Sequence, residues 1–160
     1  MAVTPPLDDL LGPDRVLLDQ NLASKKSVLE KAAELLSRQE QAPGKRDIFE
    51  ALCQRERLGS TGLGHGVAIP HCRVDQDEAS GAFIRVRRPV EFDSPDNSRV
   101  DLFFVLAVPS RCSDIHLKLL AAIAELFSRP EQRERLREVT DYRSLSALLG
   151  QVPETETPNE

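Results

Sequence analysis

Four of the chain's eight glycines fall in one eight-residue window, Gly59-Ser60-Thr61-Gly62-Leu63-Gly64-His65-Gly66. Glycine reaches φ > 0 without steric cost, so no helix runs easily through such a stretch. The window predicts a tight loop whose N–H groups can be aimed at one anion. It runs directly into Val67-Ala68-Ile69-Pro70-His71. The apolar triplet predicts a short strand, and Pro70 biases Ile69 toward extended geometry. A histidine is thereby delivered beside the loop, at the carboxyl end of a strand, where open α/β sheets place ligands.

Around this point strands and helices alternate. Arg15-Val16-Leu17-Leu18 predicts a short edge strand. Within residues 27–40, Val28, Ala32, Leu35 and Leu36 recur at helical spacing, and residues 46–57 predict a second helix burying Ile48, Phe49, Leu52 and Cys53. Residues 82–86 alternate as a strand, while 100–108 are apolar enough for a strand buried on both faces. Ser113-Asp114-Ile115-His116 predicts a helix start with Ser113 as N-cap. Pro130 opens another helix and Asp141 a last short one. The expected fold class is α/β: a single domain over residues 7–149, with a mixed, mostly central β-sheet flanked by helices. Residues 150–160 are acidic and proline-bearing, and predict a disordered tail.

Composition narrows the function classes. The 160 residues set a prior of about one domain. With 4% aromatics and no Trp the core must be aliphatic. The longest apolar runs are far below the roughly 18 residues of a membrane span, and the N-terminus lacks the basic start and apolar core of a signal peptide. Both argue for the cytoplasm and against membrane insertion. A net charge of −5 argues against nucleic acid, which wants a concentrated basic face. Arg85, Arg87 and Arg88, alternating with Ile84 and Val86, read as the wet face of a strand. The three cysteines, Cys53, Cys72 and Cys112, have no C-x-x-C spacing and read as reduced thiols.

Three histidines carry the candidate chemistry. His71 is the first: a neutral imidazole is a competent nucleophile near neutral pH and can form covalent intermediates. The glycine loop ends in neither a Walker Lys-Ser/Thr nor a dinucleotide fingerprint, which argues against a bound nucleotide, and no cofactor is implied. The Ser60 and Thr61 hydroxyls, with the backbone at Gly62 and Gly64, could hold a phosphoryl group carried by His71. His116, in the first turn of a helix, feels the positive end of the macrodipole, which keeps it neutral and able to hydrogen-bond a phosphoryl oxygen. His65, between two loop glycines, reads as surface. Arg55 or Arg57 can supply a guanidinium fork matched to phosphate, and sequence alone does not choose between them. Grouping His65, His71, Cys72, Cys112 and His116 as a metal site lacks ligand spacing, so no metal is expected.

The stretch from Arg55-Glu56 through Gly59-Ser60-Thr61-Gly62-Leu63-Gly64 to Gly66-Val67-Ala68-Ile69-Pro70-His71 resembles the signature of type 2 (mannitol/fructose-class) enzyme IIA domains of the bacterial phosphotransferase system. His116-Leu117-Lys118-Leu119-Leu120 is similar to that family's second-histidine segment. Ser24-Lys25-Lys26 before the first helix, in a chain without IIB or permease segments, resembles the nitrogen-regulatory subtype. The resemblance implies the mannitol-type IIA fold and phosphorylation of His71 at Nε2, with His116 and Arg55 supporting the phosphoryl group. It implies an HPr-like phosphocarrier protein as donor, and regulated targets such as transporters or kinases. The alternatives are a sugar-specific IIA component and a binding module that no longer transfers phosphate. Two positions depart from the family pattern: Cys72 stands where glycine is common, which could make the site redox-sensitive, and His65 where a small polar residue is frequent.

Overall fold

The computed structural model describes residues 6–111 and 114–150. Two short 3-10 turns lead into β1 (Val16–Gln20), then α1 (Lys25–Leu36) and α2 (Lys45–Arg57). Strands β2 (Gly62–Gly64), β3 (Val67–Ala68), β4 (His71–Val74), β5 (Ser80–Val90) and β6 (Val100–Pro109) follow, then helices α3 (Asp114–Phe127), α4 (Pro130–Glu138) and α5 (Tyr142–Gly150). The strands form one mixed six-stranded sheet in the order β1-β5-β6-β3-β2, with β4 also on β6.

Strand β6 is central, as its unbroken apolar run requires. Alternate side chains point to opposite faces of a strand. Phe103, Val105 and Ala107 therefore enter the core beneath α1 and α2, with Val28, Leu35, Ile48 and Leu52. Leu102, Phe104, Leu106 and Val108 enter the core beneath α3, α4 and α5, with Leu119, Ile123, Leu136 and Leu145. Edge-to-face aromatic pairs lie on both sides: Phe92–Phe103 at 5.2 Å and Phe83–Phe104 at 6.5 Å between centroids.

Strands β3 and β4 both run parallel to β6 in a single register: Ala68 lies opposite Phe103 and His71 opposite Leu106. They are one strand interrupted at Ile69-Pro70, because proline has no N–H for the ladder. The Pro70 carbonyl still accepts from the Leu106 N–H at 2.9 Å. His71 therefore begins β4 in the middle of this composite strand. The expectation of a strand's carboxyl end is corrected: the chain resumes its pairing beyond the proline instead of leaving the sheet.

Several boundaries also differ. The first helix spans Lys25–Leu36, two residues earlier and four shorter at its end than the periodicity implied. Ser24 and Ser27 form a reciprocal capping box at its start, with the Ser27 N–H donating to Ser24 Oγ at 3.1 Å. The glycine window is not wholly loop, since Gly62–Gly64 pairs antiparallel with β3. The reversal uses His65 and Gly66 at φ 58° and 81°, the double positive φ that two-residue hairpins favour. Glycine suits this position because L side chains rarely adopt such a φ, and an added Cβ would also displace the Arg137 guanidinium, 2.5 Å away.

Arg85 is a further correction: it is 7% exposed, not on the wet face. Its guanidinium donates to Asp19 Oδ1 and to the Leu136 and Val139 carbonyls, fastening the end of α4 to the sheet. Arg87 and Arg88 are exposed as expected. Ser113, Cys112 and the tail residues 151–160 lie outside the described residues, whereas Gly150 is still helical. No helix among the described residues is long and apolar enough to cross a membrane.

Truncating a fully buried ring on β6 tests this two-sided core. Phe104→Ala is expected to lower the unfolding free energy by about 3–5 kcal/mol in urea denaturation. Leu117→Ala, at a side chain 65% exposed, is expected to change it by less than about 0.5 kcal/mol.

Candidate functional site

Val67 and Ile69 point into the core beneath α3, so strand alternation turns His71 and Arg73 to that same face. Cys72 points the other way, into the core beneath α1 and α2. The edge of β4 away from β6 pairs with no strand among the described residues. The last turn of α2 packs beside it, and from there Arg55 reaches the histidine.

The His71 ring is held at both nitrogens. Nδ1 lies 2.8 Å from the Ile69 carbonyl oxygen, a pure acceptor, so this nitrogen carries the proton and donates it. Nε2 is therefore the lone-pair nitrogen, and it accepts from Arg55 Nε at 3.3 Å. Arg55 Nη1 also donates to the Gly59 carbonyl at 2.8 Å, tying the guanidinium to the start of the glycine loop. This settles the choice between the two arginines in favour of Arg55.

His71 is half-buried, and burial is the main cause of a pKa below its ordinary 6.5. The bond to Ile69 opposes that shift, and the Arg55 and Arg73 charges add to it while Glu56 opposes them. The neutral, nucleophilic ring is thus the favoured form at neutral pH. His116, in the first turn of α3, is 3% exposed. Its pKa is also lowered, first by burial and then by Arg73. Its Nδ1 has no hydrogen-bond partner among the described residues. The α3 residues Leu119 and Ile123 share the core that Val67 and Ile69 enter, so His116 belongs to the helix on the face to which His71 turns, and the Arg73 charge acts to lower both pKa values.

The loop residues are arranged differently from one another. Thr61 donates its hydroxyl to Glu56 Oε2 and its N–H to Glu56 Oε1 at 3.2 Å. The Glu56 carboxylate, 9% exposed, also pairs with Lys25 Nζ at 3.0 Å. Lys25 in turn sits 4.6 Å above the Phe92 ring. Ser60 donates to the Phe92 carbonyl at 2.6 Å and accepts from the Gly62 N–H at 3.0 Å. The hydroxyls of Ser60 and Thr61 are thus spent on tying the loop to Phe92 and to Glu56 of α2, and Gly62 and Gly64 bound strand β2. Of the candidates, His71 and Arg55 are in direct contact, and His116 shares their electrostatic surroundings through Arg73. His65 takes part only in the hairpin, its N–H donating to Asp96 and its carbonyl accepting from Arg137. The Lys25–Glu56–Thr61 network and the role of Arg73 were not foreseen. Glu56 and Thr61 both lie inside the motif, but Lys25 comes from the start of α1.

The expected redox sensitivity at Cys72 is corrected. The thiol is buried and its pKa is pushed up to about 12 by burial, so little thiolate exists to react.

The profile of the family described as Phosphoenolpyruvate-dependent sugar phosphotransferase system, EIIA 2, matches residues 9–152. The chain belongs to this EIIA 2 family. It is 41% identical over 147 residues to the Nitrogen regulatory protein of Pseudomonas aeruginosa, covering 91% of this chain and 96% of that one. The crystal structure of Nitrogen Regulatory Protein IIA-Ntr from Neisseria meningitidis superposes with a TM-score of 0.85 at 43% identity, over 89% of this chain and 98% of that one. The IIA mannitol structure from Escherichia coli, at 22% identity, shares the fold with a TM-score of 0.73 over 87% and 98% of the two chains. The EIIA 2 architecture expected from the glycine-loop motif, a single mixed α/β domain, is therefore found.

Two measurements check this geometry. An NMR titration of the imidazoles is expected to give His71 a midpoint below 6.5 with Nδ1 protonated in the neutral form, and Arg55→Gln is expected to raise that midpoint. Because the folded-state pKa is lowered, unfolding takes up a proton between 6.5 and the native value, so acidification through that window costs stability. Separately, Glu56→Ala leaves the Thr61 N–H and hydroxyl without their acceptor and Lys25 with Asp93 alone, and is expected to cost about 1–3 kcal/mol in urea denaturation.

Proposed function

We propose that this protein is a phosphohistidine carrier of the nitrogen-type phosphotransferase system, accepting a phosphoryl group on His71 Nε2 from an HPr-like phosphocarrier protein. The observation that carries the proposal is the fixed tautomer of His71. With Nδ1–H committed to the Ile69 carbonyl, the one lone pair available is on Nε2, beside the Arg55 guanidinium.

In the transfer, the donor's N–P bond breaks as the Nε2–P bond forms in line. The donor imidazole regains its lone pair, and the Nδ1 proton of His71 stays in place. The positive charge this leaves on the phosphorylated ring is shared with the Ile69 carbonyl. Such transfers need positioning and charge stabilisation more than covalent chemistry. Arg55 gives up its bond to Nε2 and turns to the phosphoryl oxygens, and neutral His116 offers its own ring as a further partner. Contact from Ser60 or Thr61 would require their present bonds to open, so the loop's part is to hold the Gly59 carbonyl that steers Arg55. Leu58, Leu63 and Leu117, at 84%, 42% and 65% exposure, offer apolar contacts near Arg55, the loop and His116, suited to a carrier protein.

Phosphorylation adds about two negative charges to this surface. That change can make or abolish docking of regulated partners such as transporters or kinases. The similarity to Nitrogen regulatory proteins supports a regulatory output over sugar uptake.

Incubation with phosphoenolpyruvate, enzyme I and an HPr-like carrier is expected to put an acid-labile, base-stable label on the protein, absent in His71→Ala. Arg55→Ala is expected to slow labelling about 100-fold, the size typical of one lost charge-stabilising donor. An unlabelled wild type would overturn the proposal.

A further inference from the structure

Arg73 has no assigned part in the transfer described above, yet its position gives it one. It follows His71 by two residues on β4, so both side chains leave the same face of the strand. Residues so placed are about 7 Å apart at their Cα atoms, within reach of a side chain as long as arginine's. Its guanidinium is exposed and makes no hydrogen bond or ion pair among the described residues. Neighbouring arginines are committed: Arg55 to His71 and Gly59, Arg85 to Asp19 and two carbonyls, Arg137 to Asp101 and the His65 carbonyl. A cation without a partner among the described residues therefore leaves β4 on the same face as His71, one alternate position along the strand.

From this geometry we infer that Arg73 is a second guanidinium for the phosphoryl group on His71, so that the dianion is gripped by Arg55 from the α2 side and by Arg73 from the α3 side. The inference rests on the carrier proposal for His71. The electrostatics agree with it: Arg73 is the one charge that bears on both His71 and His116. While the site is empty, that charge opposes protonation of both rings and keeps Nε2 nucleophilic. Once the phosphoryl group arrives, the same charge becomes an attraction. Arginine suits this use because its fork stays cationic and can present two N–H groups to one phosphoryl.

The decisive quantity is the equilibrium constant for phosphoryl exchange between the HPr-like carrier and this protein. A residue that only helps the carrier dock speeds both directions and leaves that constant unchanged. Arg73→Gln is expected to move it toward the phosphorylated carrier by about tenfold, the scale of one charge-assisted hydrogen bond. Arg73→Lys is expected to recover part of the loss, and urea denaturation should show both variants folded as the wild type. An unchanged constant in Arg73→Gln overturns the inference and leaves the carrier proposal standing, also when KM for the carrier rises. Failure of the wild type to take up phosphoryl overturns both. NMR titration adds a readout that needs no phosphoryl donor. Arg73→Gln is expected to raise the midpoints of both His71 and His116, and the absence of a rise in either ring would show that the guanidinium does not reach across the site.

Discussion

The hydrogen bond from His71 Nδ1 to the Ile69 carbonyl is the contact on which the rest of the site depends. It exists because Pro70 breaks the pairing between β3 and β4 without shifting their shared register on β6. The Ile69 carbonyl is then close to the side chain two residues on, and the ring closes back onto it. One backbone acceptor thereby decides the tautomer, the orientation of the ring and the nitrogen left for chemistry. A tautomer set by main-chain geometry costs no reorganisation at the moment of reaction, which is the condition for efficient electrostatic preorganisation.

The second requirement of the proposed transfer is a cation beside a histidine that has to stay neutral. Burial and positive charge both lower the pKa of His71, and the buried Glu56 carboxylate partly opposes them. Glu56 is itself neutralised by Lys25 and anchored to Thr61. The chain thus places α1, α2, the loop and β4 in one electrostatic neighbourhood, which explains why acidic and basic residues sit side by side in the motif at Arg55-Glu56. Each serves a different neighbour.

Much of this was legible in the residue order. The apolar run of β6, the helical spacing of Val28, Ala32, Leu35 and Leu36, and the proline at the start of α4 are local signals, and the elements they predict are present. The glycine window with its histidine carried enough pattern to imply the family, and the family was found. What the sequence did not disclose depends on partners far along the chain. Arg85 alternates with apolar neighbours as a solvent-facing residue would, but Asp19 of β1 and the Leu136 and Val139 carbonyls at the end of α4 converge on it. Arg55 and Arg57 are indistinguishable by type, yet they point about 200° apart around a helix, and only docking against β4 selects one. The Ser60 hydroxyl looked free because its partner, the Phe92 carbonyl, is brought to it by packing, and the Thr61 hydroxyl because the turn out of α2 folds it back onto Glu56.

Strand β4 leaves one flank without a partner strand among the described residues, next to the His71 ring. Bare strand flanks recruit other chains, and most folds cover them. A cover here would bar the phosphoryl donor proposed above, and the hazard is contained by other means. The strand is only four residues long, proline removes the N–H just before it, and Arg73 sets a charge within it. A second copy would find too few hydrogen-bonding groups in line to add itself, so the protein can keep this approach open without inviting aggregation.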